Sequence, residues 1–488
     1  MKAQASLRGD VAIVTLDNPP VNSLSQDLRE TLLACLQAAE AQTGVSAVVL
    51  VGARRMFCGG ADIRALDTPA YWAHPRTVDL AAFIDGMSKP VVAAVEGLAM
   101  GGGLELAMGC HWRVVEPGAR LALPEVRLGL LPGGGGTFRL PRLIGVEAAT
   151  AMMLSGDAVT GRRSAEIGLA DIVAEGPDVL HDALAFARSL RSRDDRLRRA
   201  RDLPVQMQDA GRWFAEQRDR QASREVQGPA ARTILDCIES GVTQSVEEAT
   251  RVAAEGTRML STSKEFRALR HLFFAERQAG RVAEVAPPAK QRIRAVALLG
   301  TALDGWRTLL DAAGIDLASA SPDLVLLSSP DEATRAAWRE AQAGWPRAVP
   351  VASVGDHEAW QRWRTILPDR TLLGLCLTGE RLVQFAHEPG VEAALRDAVA
   401  SLVRRVGKVC VPCLPTPGFI VSRLSAAAVA HGGAETPEGR RAMAREGQAL
   451  LAQGIALRAD DIDVALVTGG GFPSILGGPL YHASHHAN

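Results

Sequence analysis

Val95–Cys110 reads VEGLAMGGGLELAMGC, and Ala122–Gly145 reads ALPEVRLGLLPGGGGTFRLPRLIG. Gly101, Gly102 and Gly103 precede LELAM, a good helix-forming run, so the first stretch is a glycine-rich turn feeding a helix N-terminus. Such a turn presents free backbone N–H groups and the positive end of a helix dipole, which suits an oxyanion developing on a bound carbonyl. A tight turn that lets helices pack closely uses the same glycines, and the glycines alone do not choose between the two readings. Glu105 stands in this helix between Leu104 and Leu106, and Glu125 is hemmed by Leu123, Pro124 and Val126. A carboxylate among apolar neighbours either points out to water or is a buried acid with a raised pKa. Two of them, each beside a glycine-rich turn, point towards a working acid–base pair. RMFCGGADIRAL (Arg55–Leu66) adds another glycine turn ending at Ala61. If the Ala61 and Gly102 N–H groups converged, they would hold one carbonyl oxygen.

Around these motifs, residues 1–115 alternate β-type runs with helical ones. VAIVTLD, SAVVLVGA and KPVVAAVEG read as strands, and SQDLRETLLACLQAAEAQ reads as an amphipathic helix. That alternation predicts an α/β layer structure. From about Gly145 to Gly280 the pattern turns helical, with arginines on the outer faces. VAEVAPPAK, near residues 282–290, reads as a linker because Pro287 and Pro288 stop any preceding helix. A new unit starts with the strand RAVALLG, and from Pro415 the chain reads as short helices broken by glycine. No repeat of solenoid period is found.

Composition narrows the function. The chain has 488 residues, 47% hydrophobic and 22% charged, which excludes a mainly unfolded chain and predicts two to four domains. Lys and Arg number 54 against 55 Asp and Glu, so there is no electrostatic case for nucleic acid or an anionic membrane. Seven scattered cysteines do not make a disulfide framework, and no apolar stretch is long enough for a membrane span. Arg8 and Asp10 precede any apolar run that could form a signal core. A cytoplasmic protein is expected. Cys410 and Cys413 form a lone C-x-x-C in an apolar strand and read as buried strand residues, and the histidines of the C-terminal tail read as a polar end; no metal site is expected.

FCGGADI, GGGLELAMGCHWRV and LPEVRLGLLPGGGGTFRLPRLIG together resemble the crotonase (enoyl-CoA hydratase/isomerase) superfamily, and most nearly the crotonase half of the type-1 multifunctional enzymes of fatty acid β-oxidation. The resemblance covers about residues 8–280. It implies a crotonase spiral of ββα units with a helical region. It also implies catalysis by Glu105 and Glu125, with Ala61 and Gly102 as the oxyanion hole. By the same resemblance Gly60, Asp62, Ile63 and Arg64 would lie along the CoA chain, while a linker helix bearing Phe273 and Phe274 would close the acyl tunnel. Solvated surface arginine and ordinary core are the competing readings for Arg64 and for the two phenylalanines.

In that multifunctional enzyme an NAD-dependent 3-hydroxyacyl-CoA dehydrogenase follows the linker. Here RAVALLGTALDGWRTLLDAAG (Arg294–Gly314) has its strand–turn–helix outline but a degenerate dinucleotide fingerprint. Gly300 and Gly305 fill the outer positions, Ala302 occupies the middle one, and Asp304 puts negative charge where a pyrophosphate would lie. Cys376 stands where the family has its catalytic histidine, and Ser422 in PGFIVSRL replaces its asparagine. A reduced Rossmann-like domain followed by a small helical C-terminal segment is expected. The expected division is 1–258 crotonase, 259–290 linker, 291–415 dehydrogenase remnant and 416–488 helical remnant.

The resulting expectation is an enoyl-CoA hydratase that also acts as a Δ3-Δ2-enoyl-CoA isomerase if a second activity exists, with no cofactor and no NAD binding. Its partner would be an acyl-CoA thioester, with self-association or a protein partner through the remnant. Another crotonase reaction on a CoA thioester, such as hydrolysis or decarboxylation, and a non-catalytic scaffold are the alternatives.

Overall fold

The computed structural model describes residues 2–66, 68–194, 197–205, 207–222, 228–281, 292–317 and 320–485. The chain divides into two compact units, Met1–Arg267 and Ala268–Asn488, with the division inside the helix Lys264–Gln278. The proposed linker at residues 282–290 lies outside the described residues.

The first unit is built on β1 (Ala3–Arg8), β2 (Val11–Leu16), β3 (Ala47–Gly52) and β4 (Val91–Val95). It continues with β5 (Leu98–Met100), β6 (Trp112–Val115), β7 (Arg120–Ala122), β8 (Val159–Thr160) and β9 (Ile172–Val173). A six-stranded sheet runs β1-β2-β3-β4-β6-β9, and a small one runs β5-β7-β8. Every residue of β3 and β4 is buried, as a parallel strand covered on both faces requires. Only β1 pairs antiparallel in the large sheet, with Ala3 opposite Leu16 and Arg8 opposite Val11. Five of its six residues, all but Ala3, are exposed, so it follows the edge of β2 without an apolar pattern of its own.

After β4 the chain enters the small sheet as β5 and then turns into the helix Gly102–Gly109. It repeats the move through β6, β7, a short 3₁₀ helix at Glu125–Leu128 and the helix Gly136–Ile144. These are the ββα units expected from the crotonase resemblance, each with its first strand in the large sheet and its second in the small one. Both glutamates follow small-sheet strands, so the topology brings two turns some twenty residues apart to one edge.

The second unit holds β10 (Ala295–Leu299), β11 (Asp316–Leu317), β12 (Leu324–Leu327) and β13 (Val351–Val354). It is completed by β14 (Leu372–Thr378), β15 (Leu382–His387) and β16 (Val409–Cys413), in the order β11-β10-β12-β13-β14-β15-β16. Pairing is parallel except for the β14–β15 hairpin. Among the described residues no helix separates β11 from β12. Trp338, Trp345, Trp360 and Trp363 fill one apolar cluster on this sheet and Trp306 another, so the aromatic mass is core. Cys410 and Cys413 are buried on β16. Four helices, Val421–Val429, Pro437–Ala452, Ala459–Gly469 and Pro479–His485, close the unit. Among the described residues no helix is long and apolar enough to cross a membrane.

Candidate active site

The Gly101–Gly103 turn is shaped by what a side chain would strike. Gly101 has φ +52°, and a Cβ there would lie 2.8 Å from Glu125 Oε1. A Cβ on Gly103 would stand 2.4 Å from the Cys58 carbonyl oxygen. At Gly60, with φ +92°, it would stand 2.5 Å from the Met100 carbonyl oxygen. The FCGGAD turn and the GGG turn are therefore pressed backbone against backbone. A Cβ on Gly102 would lie 3.5 Å from the Ala61 nitrogen, so the structure brings those two positions together. Neither the Ala61 nor the Gly102 N–H donates to a protein acceptor among the described residues. Two free N–H groups at one place are what a developing oxyanion needs.

Glu105 projects from the first turn of the helix Gly102–Gly109 and is 3% exposed. Its Oε1 accepts from the N–H of Gly134 at 2.7 Å and of Gly136 at 2.8 Å. Gly134 and Gly136 are themselves obligatory, since a Cβ would meet Glu105 carboxylate oxygens at 2.5 and 3.0 Å. Burial pushes Glu105 up to about 7 against the pull of those amides and of Arg139. Glu125, in the 3₁₀ turn after β7, is held well above the usual carboxylate range by burial and by the charge of Glu105. Its Oε2 is buried and has no hydrogen-bond partner. The pair thus holds its proton more firmly on Glu125 than on Glu105, an acid beside a base.

Both carboxylates line one cavity of about 150 Å³. Gly60, Ala61, Ile63 and Gly102 line it too, together with Tyr71 and Trp72. Asp62 and Arg64 do not: Asp62 Oδ1 accepts from the Arg64 N–H at 3.1 Å to cap a 3₁₀ turn, and Arg64 is exposed. Phe273 and Phe274 belong to the second unit, where their rings meet edge to face and the Arg277 guanidinium lies over Phe273. Every residue lining the cavity belongs to the first unit.

Three contributors escaped the sequence reading. The Gly134 and Gly136 amides look like another glycine turn until Glu105 is seen beneath them. Arg139, 2% exposed, donates to the Gly134 carbonyl at 3.3 Å and is ion-paired with the fully buried Asp85, so it braces that turn from behind. Tyr71 lies in DTPAYWAHPRT, a stretch with no period or motif to flag it.

In the second unit Gly300 has φ +118°, and a Cβ there would strike Ser328 Oγ at 1.8 Å. Ala302 and Asp304 are exposed at the start of the helix Asp304–Ala312, while Gly305 has nothing within 4 Å. Cys376, on β14, is held in its thiol form by burial. A Cβ at the middle glycine position and a carboxylate on the helix N-terminus do not fit a dinucleotide pyrophosphate.

Residues 7–227 match the family model described as Enoyl-CoA hydratase/isomerase. The peroxisomal bifunctional enzyme of Danio rerio is 38% identical over 275 residues, covering 56% of this chain and 38% of that protein. The fatty acid oxidation complex subunit alpha of Shewanella loihica is 33% identical over 313 residues, covering 61% of this chain and 44% of that protein. The chain thus spans about two fifths of the length of these curated relatives. A solved enoyl-CoA hydratase from Mycobacterium smegmatis is 27% identical with a TM-score of 0.38, covering 53% of this chain and 98% of that one.

Proposed function

We propose that the enoyl-CoA hydratase/isomerase segment, residues 7–227, adds water across the double bond of a trans-2-enoyl-CoA. The observation that carries this reading is the single cavity shared by Glu105, Glu125 and the free amides of Ala61 and Gly102. Hydration puts OH on C3 and H on C2 and makes the thioester oxygen enolate-like on the way. Glu105, the more acidic member, takes the proton of the attacking water. Glu125, which burial and the Glu105 charge keep protonated to higher pH than an ordinary carboxyl, gives its proton to C2. The two amides hold the oxyanion, each contributing about 3 kcal/mol to the transition state. Gly60 and Ile63 would lie along the CoA chain. Moving a double bond from C3 to C2 needs only one proton shuttle, for which Glu125 is placed, so an isomerase activity would depend more on Glu125 than on Glu105.

The second unit, in our reading, neither binds NAD nor oxidises a 3-hydroxyacyl-CoA. Support comes from Ala302, Asp304 and the neutral thiol of Cys376 where a base is required. We assign the protein to the cytoplasm and require no cofactor; the seven cysteines, all free thiols, favour a reducing compartment.

Loss of the enoyl-thioester ultraviolet absorbance of crotonyl-CoA on adding the full chain tests the proposal. A catalysed decrease without release of free CoA is the expected result. Intact substrate, or free thiol in its place, would overturn it.

A further inference from the structure

Tyr71, Trp72, Arg76 and Thr77 of the segment Pro69–Thr77 form part of the cavity wall, and one buried arginine holds that segment. Arg29 is 4% exposed; its Nη1 donates to the carbonyls of Ala73 (2.9 Å) and Pro75 (2.8 Å) and its Nη2 to that of Ala70 (2.6 Å). No described carboxylate lies within ion-pair distance of it, and its Nε, also buried, has no partner. A buried cation satisfied only by carbonyl dipoles leaves net positive charge beside the cavity it lines. The segment it clamps delivers Tyr71, whose ring meets that of Trp72 edge to face at 5.1 Å.

Tyr71 lines the cavity, and its hydroxyl makes no hydrogen bond to any described residue. Thr250 and Thr257, also on the wall, return their hydroxyls to the helix carbonyls of Val246 and Ala253, each at 2.7 Å. Thr77 packs against Gly102, on the amide side. Burial and the two glutamates push the Tyr71 phenol up to about 12, so it is a neutral donor throughout the working range. The charges of Arg29 and Arg76 pull the other way, with less effect than burial and the two glutamates. A phenol O–H that faces the cavity with no protein acceptor is left free to donate to a ligand oxygen.

We propose that Tyr71, clamped by Arg29, is a specificity-determining residue that reads an oxygen acceptor carried on the acyl group, a carboxylate in preference to a hydroxyl. The proposal rests on the CoA-thioester reading of the site but not on the hydration step. It makes oxygen-bearing acyl thioesters, rather than plain hydrocarbon ones of equal length, the preferred occupants.

Calorimetric titration of the full chain with three saturated, unreactive thioesters of one length tests it: hexanoyl-CoA, 6-hydroxyhexanoyl-CoA and adipyl-CoA. Adipyl-CoA should bind at least about 10-fold tighter than hexanoyl-CoA, with the hydroxy compound between them. Tyr71→Phe, which keeps the ring and removes only the donor, should collapse the three affinities together. Equal affinities in the wild type, or a preference that survives Tyr71→Phe, would overturn the proposal while leaving hydration of crotonyl-CoA to be judged separately. Failure of all three thioesters to bind would overturn both it and the CoA-thioester reading.

Discussion

In the first unit the turn after β5 packs Gly103 so tightly that a Cβ there would stand 2.4 Å from a backbone carbonyl oxygen; in the second unit Gly300, at the end of β10, is enclosed by the Ser328 side chain, but a Cβ on Gly305, in the helix that follows, would meet nothing within 4 Å. The same contrast runs through the polar groups. Glu125 Oε2 is buried without a partner, and two amides are free. On β15 of the second unit, by contrast, buried Gln384 is held by three hydrogen bonds: Oε1 accepts from the N–H groups of Ile420 and Val421, both at 3.0 Å, and Nε2 donates to Thr378 at 2.8 Å. Both units are parallel α/β sheets built on apolar runs. They differ in which one keeps costly, unsatisfied groups around a cavity. The second unit has buried unpartnered atoms of its own, Ser353 Oγ, Trp360 Nε1 and Thr416 Oγ1, but they do not gather at the cavity where Glu105 and Glu125 meet.

The sharpest way to break the contrast is to exchange its carboxylates. Glu105→Gln and Glu125→Gln should each lower crotonyl-CoA hydration by about 10²–10⁴-fold with thioester affinity nearly retained, as steady-state rates and titration would show. Cys376→Ser in the second unit should leave the rate unchanged. Near wild-type turnover in either glutamine variant would place the working groups elsewhere.

Next in size is the pH response. Glu105 must be ionised to act as base, and burial holds it at about 7, so kcat/KM should fall about tenfold per unit as pH drops below that value. On the alkaline side the rate should fall again as Glu125, the acid, loses its proton. Stability runs the opposite way. A carboxyl with a raised folded pKa binds more protons folded than unfolded, so its contribution declines as pH rises from about 4.5 to about 7. Glu125→Gln should therefore raise the thermal midpoint more at about pH 8 than at about pH 5. A flat profile across neutrality would contradict the assignment of acid and base.

Smaller still are the glycines. Gly103→Ala should destabilise the first unit by about 1–3 kcal/mol, because backbone must shift to admit the methyl. Gly305→Ala, inside a helix and facing open space, should be neutral or stabilise by up to about 1 kcal/mol. Chemical denaturation that gave both substitutions the same sign would erase the distinction between the turns. The smallest expected effect is none: NAD⁺ titrated into the full chain should release no heat, and saturable heat would return a dinucleotide site to the second unit.

Much of this architecture could be read from residues alone, for identifiable reasons. β2, β3 and β4 announce themselves as apolar runs, and the helix Gly102–Gly109 follows a glycine turn with strong helix formers. Glu105 and Glu125 stood out because carboxylates among leucines are unusual. Their convergence was not legible, since it depends on β5 and β7 lying side by side, a tertiary fact with no local pattern. β1 was missed because it is an exposed edge strand specified by its partner. Tyr71 was missed because its segment is held by Arg29, more than forty residues earlier, and carries no periodicity. Arg64 is exposed and outside the cavity lining, where the surface-arginine reading of the sequence puts it.

Incubating the full chain with crotonyl-CoA in deuterium oxide without NAD⁺, and following the thioester by NMR, tests the paired-glutamate account most directly. It predicts 3-hydroxybutyryl-CoA carrying a single deuteron at C2, formed by the wild type and not by Glu125→Gln. Unchanged crotonyl-CoA, free CoA from a cleaved thioester, or full turnover by Glu125→Gln would contradict it.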